Sequence, residues 1–298
     1  MTKALVTGAR GFVGRHLVRK LENSDTEVFR LTSSADCISS DGWISADIRD
    51  AEAIQSHITA LKPDEIYHLA AISKPTGDDY REYFDTNLYG TLNVLNAARQ
   101  CNCSVIVVGS AYAYGNYADT IDESFSLNPL NVYGASKAAS DILAGTYSQD
   151  IKVVRTRPFN HTGAGQDNAY LVPGIIERML STQGTDKKIC IGDVTPVRDF
   201  LDVRDVSAAY VKLMRETHES DVYNICSGNG LSVEQIYGSV KDQLGLFELQ
   251  YETDESLLRP ADIQNLVGNP GKLMKDTSWE PEFEFSQTVD QIVRALKI

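Results

Sequence analysis

The hydrophobic pattern in the first half of the chain alternates between short apolar runs and longer helical repeats. A run at residues 3–7 ends in glycine, and apolar residues then recur at helical spacing from Phe12 to Leu21. The same alternation predicts strands at 27–31, 65–69, 104–108 and 152–157, and helices at 51–61, 85–99 and 132–147. Strands that alternate with helices form a parallel sheet with right-handed crossovers. We therefore predict an α/β fold with a Rossmann-type, doubly wound parallel sheet.

After Pro158 the alternation becomes less regular. The pattern there predicts helices near 172–180, 203–214, 233–244 and 286–296, and a strand at 222–225. We predict a first domain at 1–158, with return segments near 195–228. Residues 159–298 are expected to form mainly a smaller, interleaved C-terminal α/β lobe.

Three glycines, Gly8, Gly11 and Gly14, follow the first predicted strand and open the first helix in the spacing G-x-x-G-x-x-G. Glycine allows a tight turn and lets the backbone approach a pyrophosphate, which then lies at the positive end of the helix. The spacing and its strand-to-helix context predict a dinucleotide site. We expect contacts from Gly8, Arg10, Gly11, Phe12, Val13 and Gly14.

The residues after the second strand bear on the choice of cofactor. Arg30-Leu31-Thr32-Ser33-Ser34 contains no acidic residue at the place where an NAD-specific site holds the ribose hydroxyls. Arg10 and Arg30 are suited to a 2′-phosphate, which favours NADP(H) and leaves NAD(H) open. Asp47 and Ile48 follow a strand-like segment at 43–46, and we predict that they contact the adenine.

Tyr133 and Lys137 are four residues apart on a predicted helix and therefore share one face. An unperturbed tyrosine, with a pKa of about 10, transfers protons poorly at neutral pH. We expect the neighbouring lysine to lower that pKa towards the working range. Ser110 stands at the end of the preceding strand, where catalytic groups of open α/β sheets gather, and its hydroxyl is suited to a substrate carbonyl. These three residues are our predicted catalytic group.

Composition narrows the choice of partners. The net charge of −13 argues against nucleic acid and anionic membranes as partners and leaves small anions or proteins. No stretch approaches eighteen consecutive apolar residues, and no signal-peptide pattern opens the chain, so we expect a cytoplasmic protein. The five cysteines lack the spacing of a zinc site or a disulfide framework, and we predict no metal site.

Five motifs together resemble the extended short-chain dehydrogenase/reductase family over essentially the whole chain. They are Gly8-x-x-Gly11-x-x-Gly14, His68-Leu69-Ala70-Ala71, Asn87-x-x-Gly90-Thr91, Ser110 four residues before Tyr114-Gly115, and Tyr133-x-x-x-Lys137. The resemblance implies a C-terminal lobe that binds a nucleoside diphosphate sugar, hydride exchange at a sugar carbon, and a homodimer built through long helices. It adds Leu69, Ala70, Ala71, Asn87 and Pro158 to the expected cofactor contacts, beside Tyr133 and Lys137.

The residues directly after Ser110 help to distinguish which reaction of this family the chain catalyses. In this family 4,6-dehydratases carry acidic residues there, whereas this chain has Ala111-Tyr112-Ala113, which disfavours dehydration. Segments 157–166, 198–206, 223–228 and 259–263 are similar to reductases that convert GDP-4-keto-6-deoxy-D-mannose to GDP-D-rhamnose. A reductase of a dTDP- or UDP-4-keto sugar, a 4-epimerase and a non-catalytic dinucleotide sensor remain alternatives. The expected substrate contacts are Ser73, Ser110, Ala111, Tyr112, Asn160, Arg198, Arg259 and Asp262.

Overall fold

The computed structural model describes residues 1–34, 42–74, 79–182, 188–217, 221–257 and 263–296. The strands in these ranges are β1 (Thr2–Thr7), β2 (Thr26–Thr32), β3 (Trp43–Ser45), β4 (Glu65–His68), β5 (Ser104–Val108), β6 (Val153–Pro158), β7 (Asn160–Thr162), β8 (Lys188–Ile191), β9 (Val197–Asp202), β10 (Val222–Ile225), β11 (Gly230–Ser232), β12 (Gln250–Thr253) and β13 (Asn265–Leu266). The α-helices are α1 (Phe12–Glu22), α2 (Ala51–Leu61), α3 (Tyr80–Phe84), α4 (Gly90–Cys101), α5 (Val132–Gly145), α6 (Leu171–Ser181), α7 (Val203–Glu216), α8 (Val233–Leu244), α9 (Gly271–Asp276) and α10 (Phe285–Leu296).

The largest sheet has seven strands in the order β10-β6-β5-β4-β1-β2-β3. Every neighbouring pair in it is parallel. The chain moves outwards from β1 in both directions, so the strand order reverses between β1 and β4. Ligands of open α/β sheets bind at such a reversal, beyond the carboxyl ends of the strands. The predicted Rossmann-type sheet is confirmed.

Helices cover both faces of this sheet. On one face, α1 and α7 pack together, and Leu17, Leu21 and Leu213 are fully buried against the strands. On the other face, α2, α4 and α5 bury Ile54, Leu95 and further apolar residues. Because both faces are covered, central strands such as β1 and β5 carry continuous apolar runs. None of the described helices is long and apolar enough to cross a membrane.

The later part of the chain forms two smaller sheets. One pairs β9 with β7, β11 and β13, and the other pairs β8 with β12. Helices α6, α8 and α10 share a separate apolar core with these strands. In contrast, α7 and β10 return to the seven-stranded sheet. The exact division into a dinucleotide domain at 1–158 and a lobe at 159–298 remains a prediction.

The helix predicted at 85–99 is interrupted. A π-helical turn over Asp85–Tyr89 separates α3 from α4, and the Thr91 hydroxyl donates to the Asn87 carbonyl across that turn at 2.7 Å. The turn orients the Asn87 side chain towards α5 and the segment after β4. A wide turn of this kind changes no hydrophobic spacing that a sequence pattern shows, so it escaped the prediction.

Candidate active site

The glycine loop after β1 has no room for side chains at two positions. A Cβ on Gly8, whose φ is +68°, would lie 2.8 Å from the Ala70 nitrogen, and one on Gly14 would lie 2.2 Å from the Gly8 carbonyl oxygen. Gly11 precedes α1 and has no side chain to cap it, so the N–H groups of the first turn remain available to an anion. The loop therefore has the form that a bound pyrophosphate requires.

A buried network holds the loop after β4 against the end of β1. The Thr7 hydroxyl accepts hydrogen bonds from the Leu69 and Ala70 nitrogens, both at 3.1 Å, and lies 2.9 Å from His68 Nδ1. The other ring nitrogen of His68 lies 3.0 Å from the Thr91 hydroxyl. Burial lowers the pKa of His68 to about 3, so the ring is neutral and structural. The sequence motif indicated His68 but gave no sign of Thr7.

A cavity of about 1160 Å³ runs from the glycine loop along the carboxyl ends of the strands to the later part of the chain. Most of the predicted contact residues line it. They are Gly8, Arg10, Gly11, Phe12, Val13, Gly14, Asp47, Ile48, Leu69, Ala70, Ala71, Ser73, Ser110, Ala111, Tyr112, Tyr133, Lys137, Pro158, Asn160 and Arg198. Arg259 and Asp262 lie outside the described residues. Arg30 and Asn87 are not part of the cavity wall.

Arg10 and Arg30 both lie over the Trp43 ring, at 5.7 and 5.8 Å from its centroid, but only Arg10 faces the cavity. Arg10 donates to the Ser34 hydroxyl at 3.1 Å, whereas Arg30 forms an ion pair with Glu22. The expected Arg30 contact with a cofactor phosphate is therefore not supported by its position. Sequence alone could not separate the two arginines, because the partner of each lies on another segment.

Asn87 supports the cavity wall from behind. Its side-chain oxygen accepts from the Ile72 nitrogen at 2.8 Å, and its amide donates to the Ser136 hydroxyl at 3.0 Å. These bonds occupy both the oxygen and the nitrogen of the Asn87 side chain, and they fix α5 relative to the segment after β4. Asn87 therefore supports the cavity wall, and the direct cofactor contact that we expected of it remains a prediction.

Arg49 holds the carboxylate of Asp47 in the wall of the cavity. The two side chains pair at 2.6 Å, and this hydrogen bond is the main cause that lowers the pKa of Asp47. Asp47 is therefore an anion in a fixed orientation. Arg49 also lines the cavity and was missed, because its pairing depends on a turn that the sequence pattern does not show.

Ser110, Tyr133 and Lys137 meet at the carboxyl end of β5. The Asn131 side chain caps α5 by accepting from the Gly134 nitrogen at 2.8 Å, which fixes the start of the helix that carries Tyr133. The Ser110 and Tyr133 side chains are close enough to interact, and both line the cavity. The Lys137 ammonium donates to the Val108 carbonyl at 2.5 Å. All three predicted catalytic groups therefore come together, from two different elements.

Burial controls the electrostatics of this centre. It raises the pKa of Tyr133 to about 12, against the smaller effect of the Ser110 hydrogen bond. It also lowers the pKa of Lys137 to about 8, against the attraction of Asp141. We expected Lys137 to lower the pKa of Tyr133, but Lys137 is not among the main groups that shift this pKa, and burial sets its direction. Tyr133 therefore keeps its proton at neutral pH and is suited to donate it.

Aromatic rings surround the reactive hydroxyl. The Tyr112 and Tyr83 rings meet the Tyr133 ring edge-on, with centroids 5.8 and 6.2 Å away. Tyr170 also lines the cavity, and its hydroxyl lies 3.1 Å from that of Ser73. Water has limited access to the region around Tyr133 as a result. Tyr83 and Tyr170 were missed, because no local motif marks them.

Asn160 and Arg198 lie at the other end of the cavity. Both side chains line it, and Arg198 is only 5% exposed. The side-chain oxygen of Asn160 is buried, and no described residue offers it a hydrogen bond. Buried polar atoms in folded proteins nearly always have a partner, so this oxygen points to a ligand as its donor.

The model of the NAD dependent epimerase/dehydratase family matches residues 4–226 of this chain. The chain belongs to this family. The resemblance to extended short-chain dehydrogenases/reductases is thereby confirmed, and the protein is an NAD(P)-dependent enzyme of the oxidoreductase type. The glycine loop without room for side chains and the open first turn of α1 fit a dinucleotide cofactor.

Three relatives in this family are each 30% identical to the chain. GDP-6-deoxy-D-talose 4-dehydrogenase from Aggregatibacter actinomycetemcomitans matches 91% of this chain and 90% of its own length. GDP-6-deoxy-D-mannose reductase from Pseudomonas aeruginosa matches 98% and 97%, and UDP-glucose 4-epimerase from Lactobacillus helveticus matches 98% and 94%. Reductases, dehydrogenases and epimerases are thus equally similar to the chain by identity.

Two solved structures show the same fold along the whole chain. RMD from Pseudomonas aeruginosa, complexed with NADPH, is 28% identical with a TM-score of 0.86 and covers 99% of this chain and 98% of its own. UDP-glucose 4-epimerase from Thermus thermophilus, in complex with NAD, is 27% identical with a TM-score of 0.88 and covers 99% of both chains. The family fold therefore accommodates either dinucleotide.

Proposed function

We propose that this enzyme reduces the C4 keto group of a nucleotide-activated 4-keto-6-deoxyhexose. The observation that carries the proposal is that Ser110 and Tyr133 lie together in the cavity wall, with Ala111 and Tyr112 and no carboxylate directly after Ser110. Loss of water from the sugar needs an added acid or base at that place, whereas reduction of a ketone needs only a proton donor. The pair therefore supports reduction over dehydration.

The chain's own groups supply the proton chemistry. Ser110 donates a hydrogen bond to the C4 oxygen and stabilises its negative charge as that charge develops. Tyr133, whose pKa is about 12, holds its proton at neutral pH and delivers it to the same oxygen. The bound dinucleotide supplies the hydride. Lys137, with a pKa of about 8, carries a positive charge below that pH, binds the nicotinamide ribose and favours the phenolate that forms.

The substrate that we propose is GDP-4-keto-6-deoxy-D-mannose, with GDP-D-rhamnose as the product. Support comes from the two relatives named for GDP-6-deoxyhexoses, each 30% identical. The buried oxygen of Asn160 and the guanidinium of Arg198 are suited to the hydroxyl and diphosphate groups of such a ligand. We assign Arg259 and Asp262 to the same site from their motif alone.

We further propose that NADPH is the preferred reductant. Arg10 faces the cavity beside Ser34, and together they offer a guanidinium and a hydroxyl to a 2′-phosphate at the end of β2. No carboxylate stands in Arg30–Ser34 to hold the ribose hydroxyls of NADH.

A 4-epimerase is the second candidate, because UDP-glucose 4-epimerase is as similar to the chain as the reductase, at 30% identity. An epimerase returns the hydride to the same sugar and keeps its cofactor, whereas a reductase must exchange the cofactor at every turnover. We expect the purified enzyme to lose its dinucleotide on gel filtration and to regain activity when NADPH is added. About one tightly held NAD per chain after gel filtration would favour the epimerase instead.

A further inference from the structure

The Tyr210 side chain lies between α7 and the seven-stranded sheet and also lines the cavity. It lies in the middle of α7, is fully buried in the apolar core between α7 and the strands, and also lines the cavity. Side chains of a helix point back towards its N-terminus, and α7 leads into β10, which runs parallel to the other strands of the seven-stranded sheet, so α7 begins at their carboxyl ends. The phenol therefore points up towards the carboxyl ends of the strands.

The Tyr210 hydroxyl lies at the floor of the catalytic centre. Its polar neighbour is the Thr156 hydroxyl on β6. Thr156 is paired in the sheet with Val108, whose carbonyl accepts from the Lys137 ammonium. Tyr210 thus approaches the same strand ends as Tyr133 and Lys137, from the face covered by α1 and α7.

This hydroxyl makes no hydrogen bond of standard geometry with any described residue. The Thr156 hydroxyl donates to the Val107 carbonyl instead, at 3.5 Å. Four buried side-chain atoms in the described ranges lack a partner, and two of them, on Asn160 and Tyr210, belong to residues that line the cavity described above. An unpaired buried hydroxyl costs free energy, so its presence at a ligand cavity indicates a partner on the ligand.

We propose that Tyr210 is a cofactor contact whose hydroxyl binds the carboxamide of the nicotinamide ring. The proposal rests on the dinucleotide site of the proposed function. The ring must lie between the pyrophosphate at the glycine loop and the keto carbon at Tyr133, which is where Tyr210 reaches the cavity. The carboxamide is the polar group on that ring and both donates and accepts hydrogen bonds. Burial raises the pKa of Tyr210, so the phenol keeps its proton and can donate it.

The variant Tyr210→Phe tests this contact by removing only the hydroxyl. Binding is measured by calorimetry with NADP⁺ and NAD⁺, and with 2′-phospho-ADP-ribose and ADP-ribose, which are the same molecules without nicotinamide. We expect the variant to bind the preferred dinucleotide about threefold to tenfold more weakly, which is the usual effect of one lost hydrogen bond. Its affinity for the matching fragment should equal that of the wild type. Tyr67→Phe, which removes a buried hydroxyl that donates to Glu65, is the control and should leave both affinities unchanged.

Thermal unfolding separates a cofactor contact from a structural role. Because the Tyr210 hydroxyl has no partner among the described residues, Tyr210→Phe should melt at the wild-type temperature or above it without ligand. A lower melting temperature, with dinucleotide and fragment affinities that change equally or not at all, would overturn the proposal. A wild-type protein that binds neither dinucleotide would overturn the proposed function as well.

Discussion

Replacing Tyr133 by phenylalanine should lower turnover by about 10²- to 10⁴-fold, which is the usual contribution of a positioned proton donor. The change removes the hydroxyl that lies near Ser110 and leaves the ring in its contacts with Tyr83 and Tyr112. Cofactor affinity should change little, because the glycine loop, Arg10 and Lys137 are untouched. The measurement is steady-state oxidation of NADPH, together with a binding titration.

Tyr147→Phe is the matched control for this prediction. Tyr147 follows the end of α5, and its hydroxyl donates to Asn96 outside the cavity. The control variant should retain wild-type turnover. Turnover of Tyr133→Phe within a few-fold of the wild type would mean that another group donates the proton.

The second large effect should come from Asp141→Asn, which we expect to lower the free energy of unfolding by about 3–5 kcal/mol. Asp141 is only 2% exposed and pairs with Arg157 at 2.5 Å and Arg155 at 3.1 Å. The variant leaves the buried guanidinium of Arg157 without a counter-charge, and Arg157 in turn donates to the Tyr114 hydroxyl. Urea unfolding monitored by circular dichroism measures the change.

Asp150→Asn is the control, because it breaks an exposed ion pair of the same type. Asp150 and Arg99 are each half-exposed and lie 3.4 Å apart, so we expect a loss below about 1 kcal/mol. Equal losses in the two variants would show that the Asp141 network contributes no more than a surface pair.

The sequence pattern was sufficient for the elements whose periodicity is uniform. The helix predicted at 51–61 and the strand predicted at 222–225 have those same bounds in the structure. The strands β7 and β11, of three residues each, were not predicted, because each pairs with a strand far away in the chain and is too short for a period of two to be recognised. Pairing of that kind depends on the tertiary fold, which the spacing of apolar residues along the chain does not show.

In the candidate site, too, some features could be predicted from the sequence and others depend on the tertiary fold. The positions of Ser110, Tyr133 and Lys137 could be predicted, because their chemistry imposes a fixed spacing and a fixed place at a strand end. The pKa of Tyr133 could not, since it depends on burial by Tyr83, Tyr112 and other residues from separate elements. Tyr210 could not be predicted either, because in sequence it is one more apolar position of an amphipathic helix.

The reduction of a keto sugar is tested most directly by incubating the enzyme with GDP-4-keto-6-deoxy-D-mannose and either NADPH or NADH. We predict loss of nicotinamide absorbance in proportion to the sugar added, faster with NADPH, and a product identified as GDP-D-rhamnose. The dTDP-linked keto sugar should be a poor substrate in the same assay. Oxidation of neither cofactor with either sugar would contradict the assignment of the enzyme as a 4-keto reductase.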